Sequence, residues 1–142
     1  MLVDTILQTK GVIVHTLPET DTLADAVGLL NAHNIGAVVI TDTGGAIIGI
    51  LSERDIIRRL GKDPNGALTL TIGKAMTRGV VTCQRDTNIA EVMERMTRLR
   101  IRHMPVAEAG DLIGIVSIGD VVKFKIEEAE HEAEVLREYI AS

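Results

Sequence analysis

Two serine–aspartate pairs and one basic segment hold the residues of this chain that could do chemistry. Ser52-x-x-Asp55 closes the stretch Gly49-Ile50-Leu51-Ser52-Glu53-Arg54-Asp55, and Ser117-x-x-Asp120 closes Gly114-Ile115-Val116-Ser117-Ile118-Gly119-Asp120. Each pair sits where an apolar strand gives way to a helix. The serine is therefore expected to cap the helix, and the aspartate three residues on to complete a capping box. Capping alone does not demand aspartate rather than glutamate or glutamine. A helix N-terminus also presents free amide donors suited to phosphate, and a carboxylate beside it can accept two hydrogen bonds from a ribose diol. Both roles can coexist. The basic segment is Arg100-Ile101-Arg102-His103-Met104-Pro105-Val106. Arg102 and His103 fall at a strand entrance, where guanidinium and imidazole together suit a phosphate. Arg95 and Arg98 read instead as a solvated helix end that offsets nearby acids.

Other chemistry finds little support. Gly44 to Gly49 has the spacing of a phosphate loop, but Ile50 and Leu51 stand where Lys and Ser/Thr are required. No Gly-x-Gly-x-x-Gly is present. His15, His33, His103 and His131 are scattered along the chain without metal-ligand spacing. Cys83 is the single cysteine, flanked by Val81 and Thr82, and reads as a buried structural thiol in a reducing cytoplasm. The residues make no case for an enzyme.

The elements that must position these groups come in two copies. Residues 14–57 and 80–122 run in parallel at an offset of 66, as in Ala24/Ala90, Ile35/Ile101 and Gly44/Gly110. The offset drops to 65 for Gly49/Gly114 and Asp55/Asp120. A module of this length cannot bury its apolar face alone, so the copies are expected to pack as a pseudo-twofold pair with a cleft between them. A short helix over 3–9 stops at Gly11. The first copy then reads as strand 12–16, helix 22–34 with Leu23, Val27 and Leu30 inward, and strand 37–40. A turn at 41–45, strand 46–51 and a helix with Ile56, Ile57 and Leu60 inward and Gly61 as its stop complete it. Residues 62–72 read as a polar linker. The second copy reads as strand 80–83, helix 88–100 on Ile89, Met93 and Met96, strand 103–107, turn 109–111 and strand 112–116. The fold class is thus α+β: two strand–helix–strand–strand–helix units, a short N-terminal helix and an extended C-terminal one.

That last helix runs from Gly119 to about Ile140. Val122, Ile126, Ala129, Ala133, Leu136 and Ile140 recur at alternating steps of four and three, a heptad seam between Glu-rich flanks. So narrow a stripe suits a partner helix better than broad core burial, and the expectation is a homodimer or a regulated partner protein held there.

Composition narrows the classes further. The chain has 142 residues, 46% hydrophobic and 25% charged, a globular balance. Phe124 and Tyr139 are its only aromatics, so nothing can stack a row of bases. The net charge of -5 argues against nucleic-acid binding, and residues 121–142 hold six Glu against three basic residues. No run is long and apolar enough to span a bilayer, and no signal-peptide pattern opens the chain.

Taken together, the two Gly-Ile-x-Ser-x-x-Asp endings, Ile101-Arg102-His103-Met104-Pro105-Val106, the helix starts at Ala24 and Ala90, and Met76-Thr77 before the second copy resemble a tandem CBS-domain pair, or Bateman module, of the stand-alone kind. The resemblance implies repeats at 12–61 and 76–123, a helical extension over 124–142, and adenine nucleotide binding without catalysis. The ligand would be AMP, ADP, ATP or NAD(H), bound as an energy or redox signal. It implies a site built from Ile50, Ser52, Arg54 and Asp55 with Thr87, Val92, Ile101, Arg102 and His103. A second would join Ile115, Ser117, Gly119 and Asp120 to Ala26, Ile35, Gly36 and Ala37. The first collects the cations and should prefer phosphates. The second has glycine at two of the corresponding positions and no cation. The alternative is an oligomerisation or adaptor protein that leaves the cleft unused.

Overall fold

The computed structural model describes residues 1–11 and 13–142. The elements follow in the order α1 (Val3–Lys10), β1 (Thr16–Leu17), α2 (Leu23–His33), β2 (Ala37–Thr41), β3 (Ile47–Ser52), α3 (Glu53–Lys62), a 3-10 turn (Ala67–Thr69) and α4 (Ile72–Ala75). After these come α5 (Ile89–Leu99), β4 (His103–Glu108), β5 (Asp111–Ser117) and α6 (Ile118–Ala141). The chain divides into two compact units. One holds Ile13–Val81 with Ala109–Leu112, and the other Met1–Val12, Thr82–Glu108 and Ile113–Ser142.

In the first-repeat unit the strands lie in the order β1-β2-β3, with β1 parallel and β3 antiparallel to β2. Central β2 is a continuous apolar run, and its first four residues are buried. Helix α2 starts at a Thr22–Asp25 capping box and ends on Asn34 in the left-handed conformation, φ 53°. Leu23, Ala26, Leu30, Val38, Ile40, Leu51, Ile56, Ile72 and Met76 form one apolar cluster.

Several expectations are corrected here. The strand expected over 12–16 is Thr16–Leu17, Ile13 being 82% exposed, and Val12 lies outside the described residues. The inward face of α2 is Leu23, Ala26 and Leu30, with Val27 at the surface. In α3, Ile56 is buried but Ile57 is 65% exposed, and the helix runs through Gly61 to Lys62. The expected polar linker is folded: Ala67 and Ile72 are buried within it, and α4 carries Ile72 and Met76 into the cluster. A chain segment that can bury two apolar side chains has reason to give up its freedom.

The second-repeat unit holds β4 and most of β5, a two-stranded sheet joined through Ala109 and Gly110, both at positive φ. The strand expected at 80–83 reduces to one parallel bridge, Cys83 to Val106. Its counterpart 66 residues earlier is Leu17 against Ile40, so the pairing is kept while the ladder shrinks. Helix α5 buries Ile89, Val92 and Met96, Met93 being only half-buried, and ends on Arg100 at φ 56°. It packs along α6. Helix α1 belongs to this unit: Val3, Ile6 and Leu7 are buried, and Val3 N donates to Thr87 O at 2.9 Å.

Candidate functional site

Both serine–aspartate pairs form the expected capping boxes. Ser52 Oγ accepts from Asp55 N at 3.3 Å, and Asp55 Oδ2 accepts from Ser52 N at 2.9 Å. Ser117 Oγ accepts from Asp120 N at 3.1 Å, and Asp120 Oδ2 from Ser117 N at 2.9 Å. Thr22 and Asp25 form the same box at the start of α2. The box by itself therefore marks helix starts. What surrounds each aspartate is the informative part.

Asp55 is 9% exposed, the one buried charged residue among those described. Its Oδ2 is held by the cap, while Oδ1 faces Thr77 Oγ1 at 3.4 Å and Arg58 at 3.9 Å. The segment before β2 is brought to the same helix start: Glu53 N donates to Gly36 O at 3.0 Å, and Ala37 pairs with Ser52 across the sheet. Ile35 and Ile50 are half-buried, Ala26 and Ala37 are buried, and Arg54 is exposed in the first turn of α3.

The second-repeat unit repeats this local geometry. Ile118 N donates to Arg102 O at 2.8 Å, which seats the Arg102–His103 entrance of β4 beside the Ser117 cap. Arg102 is exposed, while His103, Ile101, Thr87, Ile115 and Ser117 are half-buried; Val92 is fully buried in α5. Gly119 is exposed in the first turn of α6. Asp120 differs from Asp55 in its company. Lys10 Nζ, at the end of α1, donates to Asp120 Oδ2 at 2.7 Å and to Ile115 O at 2.9 Å. Burial pushes the Asp120 carboxyl up, but the Lys10 hydrogen bond, the Ser117 backbone and the Lys10 charge together outweigh it and hold the group below its ordinary value.

Lys10 and Thr77 meet the closing aspartates, although neither is among the site residues expected from the sequence. The repeat itself carries the signal: 66 residues on from Lys10 lies Met76, so both segments lead into a copy at the same place. Each segment also covers a strand glycine in its own unit, Leu7 against Gly114 and Met76 against Gly49.

The remaining candidates resolve differently. Arg98 pairs with Glu94 at 3.1 Å as a helix-surface ion pair, whereas Arg95 turns inward to donate to Thr82 O at 3.1 Å. His15 and His33 are not scattered: their rings stack with centroids 3.7 Å apart. Among the described residues no three His, Cys, Asp or Glu side chains gather as a metal site. Cys83 is buried, and burial chiefly pushes its thiol up to about 11, so little reactive thiolate exists near neutral pH. No helix among the described residues is long and apolar enough to cross a membrane.

The fold and the paired helix starts define a duplicated α+β module, and comparison with known proteins gives it a family. The CBS-domain profile matches residues 7–62 and again 72–127. The chain belongs to the CBS-domain family and carries the domain in tandem. It is 42% identical to the CBS-domain protein ATU1752 from Agrobacterium tumefaciens, whose crystal structure superposes with a TM-score of 0.86 over 88% of this chain and 99% of that one. It is 37% identical over 124 residues to CBSX3 of Arabidopsis thaliana, named as a mitochondrial CBS domain-containing protein, covering 84% of this chain and 60% of that protein. The CBS pair of MJ0100, solved in complex with 5-methylthioadenosine and S-adenosyl-L-methionine, superposes with a TM-score of 0.81 at 27% identity over 90% of this chain and 98% of that one.

Proposed function

We propose that this CBS pair is a non-catalytic regulatory module that binds an adenine nucleotide and reports energy or redox state. AMP, ADP, ATP and NAD(H) are the candidate ligands. The observation that carries this is Asp55, a nearly buried carboxylate whose one oxygen is fixed by the Ser52 cap while the other faces only a hydroxyl and a distant guanidinium. A carboxylate held so, at the positive end of a helix, suits a ribose diol and its phosphate. The adenosyl compounds bound by MJ0100 support the same ligand chemistry.

The phosphate-preferring site takes Ile50, Ser52, Arg54 and Asp55 from the first repeat and Thr87, Val92, Ile101, Arg102 and His103 from the second. The other takes Ile115, Ser117, Gly119 and Asp120 with Ala26, Ile35, Gly36 and Ala37. The working unit is a homodimer that also offers α6 to a regulated protein. The lone Cys83 suits a cytoplasmic setting. The repeats are taken as 12–61 and 76–123, with 124–142 as the extension.

Calorimetric titration tests the site. Asp55→Ala and Arg102→Ala should each weaken nucleotide binding about tenfold or more, the cost of losing charge-assisted hydrogen bonds. Unchanged affinity in both variants removes the assignment. Mass spectrometry of ligand released from purified protein names the nucleotide.

The exposed seam of α6 favours a second reading, an adaptor that uses the fold for assembly alone. A melting temperature unmoved by millimolar AMP, ADP, ATP, NADH and S-adenosylmethionine would select it, because any ligand that binds only the native state must stabilise that state.

A further inference from the structure

The two closing aspartates occupy equivalent positions in the repeats yet differ in what neutralises them. Asp55 faces Thr77 Oγ1 at 3.4 Å and Arg58 at 3.9 Å, while Lys10 Nζ sits 2.7 Å from Asp120 Oδ2 and 2.9 Å from Ile115 O. The pair is partly exposed, with the Lys10 side chain 35% and that of Asp120 24% exposed. It is also anchored from behind. Val3, Ile6 and Leu7 bury the inner face of α1. Asp4 Oδ1 accepts from Arg85 Nη1 at 2.7 Å, and Leu7 lies where a Cβ on Gly114 would fall. Lys10 is thus delivered by a docked helix, and Gly11 at φ 92° ends that helix directly after it. Its counterpart in the other repeat is Met76, which carries no charge.

We infer that Lys10 is a specificity-determining residue of the second-repeat site: it competes with a ribose diol for Asp120 and so makes the two sites of the pair unequal in affinity. The inference rests on the adenine-nucleotide reading above. A diol donates two hydrogen bonds to a carboxylate, and it does so best when that carboxylate is otherwise unneutralised. At Asp120 the ligand must either displace a partly desolvated ion pair or bind a carboxylate whose charge is already cancelled. Both lower its affinity. At Asp55 no lysine has to be moved. Reciprocally, a nucleotide that does seat at Asp120 loosens the end of α1, because a contact that weakens the ligand is weakened by it to the same degree.

The experiment isolates the second site with the Asp55→Ala background and titrates AMP by calorimetry into D55A, D55A/K10M, D55A/K10Q and D55A/K10R. Methionine is the residue the other repeat carries at this position. AMP should bind D55A/K10M and D55A/K10Q about two- to fivefold more tightly than D55A. D55A/K10R, which keeps the cation, should stay near D55A, and adding Asp120→Ala should abolish the gain. Two neutral variants guard against one that folds poorly, which circular dichroism would show. Equal or weaker AMP binding in both neutral variants overturns the role of Lys10 while leaving the nucleotide reading intact, provided the wild-type chain binds AMP. Absence of binding to the wild-type chain overturns both.

Discussion

Ile50 and Thr77 exchange both backbone hydrogen bonds, at 3.0 and 2.9 Å, and this short bridge lays the side chain of Met76 directly over Gly49. The segment leading into the second copy is thereby stitched to the strand that ends at Ser52, with Thr77 Oγ1 brought to Asp55. The close approach is possible because position 49 has no Cβ.

Gly49→Ala should therefore be destabilising although alanine is the smallest replacement. Its Cβ would lie 2.9 Å from Met76 Cγ and 3.1 Å from Thr77 O, and still nearer Met76 Sδ. The thioether can swing aside, but the carbonyl oxygen belongs to the bridge. We expect a loss of about 1–3 kcal/mol in urea denaturation, the usual cost of overpacking. Alanine at Gly28, where a Cβ would meet nothing within 4 Å, is the control and should be neutral or stabilising. A midpoint for Gly49→Ala as high as that of the control would contradict this account.

Arg100→Gly should stabilise the protein. Arg100 holds φ 56° as the C-cap of α5, where its first-repeat counterpart at φ 53° is Asn34, a residue that tolerates the left-handed region. Relief of that strain should give about 1 kcal/mol, a rise of a few degrees in Tm. Arg100→Asn should recover part of it. A fall in Tm for both variants would mean that the arginine side chain contributes more than its backbone costs.

These two positions show what could be read from the sequence and what could not. The repeat offset, the Ser–Asp boxes, the Gly11 stop and the long last helix are local or periodic signals, and all appear in the fold. What failed depends on distant partners. Ile57 has the right helical spacing for burial but meets no cover and stays 65% exposed, whereas Ala26 and Val92, which lie outside the expected inward faces, are fully buried. The expected linker looked polar because Pro64, Asn65 and Gly66 dominate its start, while its buried Ala67 and Ile72 follow. Nothing local marks Lys10 as a partner of Asp120, since the contact spans 110 residues.

The Lys10–Asp120 pair should make stability depend on pH in acid. The folded-state pKa of Asp120 lies below its ordinary value of 3.8. A depressed carboxylate pKa adds stability that is complete above the unfolded value and disappears as pH falls through the lowered one. With both side chains partly exposed the contribution is small, from a fraction of a kcal/mol to about 1 kcal/mol. Wild type should exceed Lys10→Met by this amount at pH 6, and the gap should close between about pH 4 and pH 2. Urea denaturation across that range measures it. A gap that persists undiminished at pH 2 would assign the stabilisation to the lysine's aliphatic chain instead.

The last prediction concerns the outer length of α6. Val121 and Phe124 turn inward and are buried, but Val122, Ile126, Leu136 and Ile140 on the seam are 41%, 53%, 58% and 75% exposed. A helix of 24 residues with six glutamates has no local reason to keep large apolar side chains in line on its surface. A second copy of the same helix would cover them, since a seam repeating every three and four residues is self-complementary. Ile126→Glu with Leu136→Glu puts two charges into that seam without touching Val121 or Phe124, so the unit's own packing is spared. Light scattering should show the wild type as a dimer and the double variant as a monomer, with unchanged circular dichroism over the folded core. A wild-type chain that runs as a monomer at micromolar concentration would leave the seam to a different protein and remove the homodimer from the proposal.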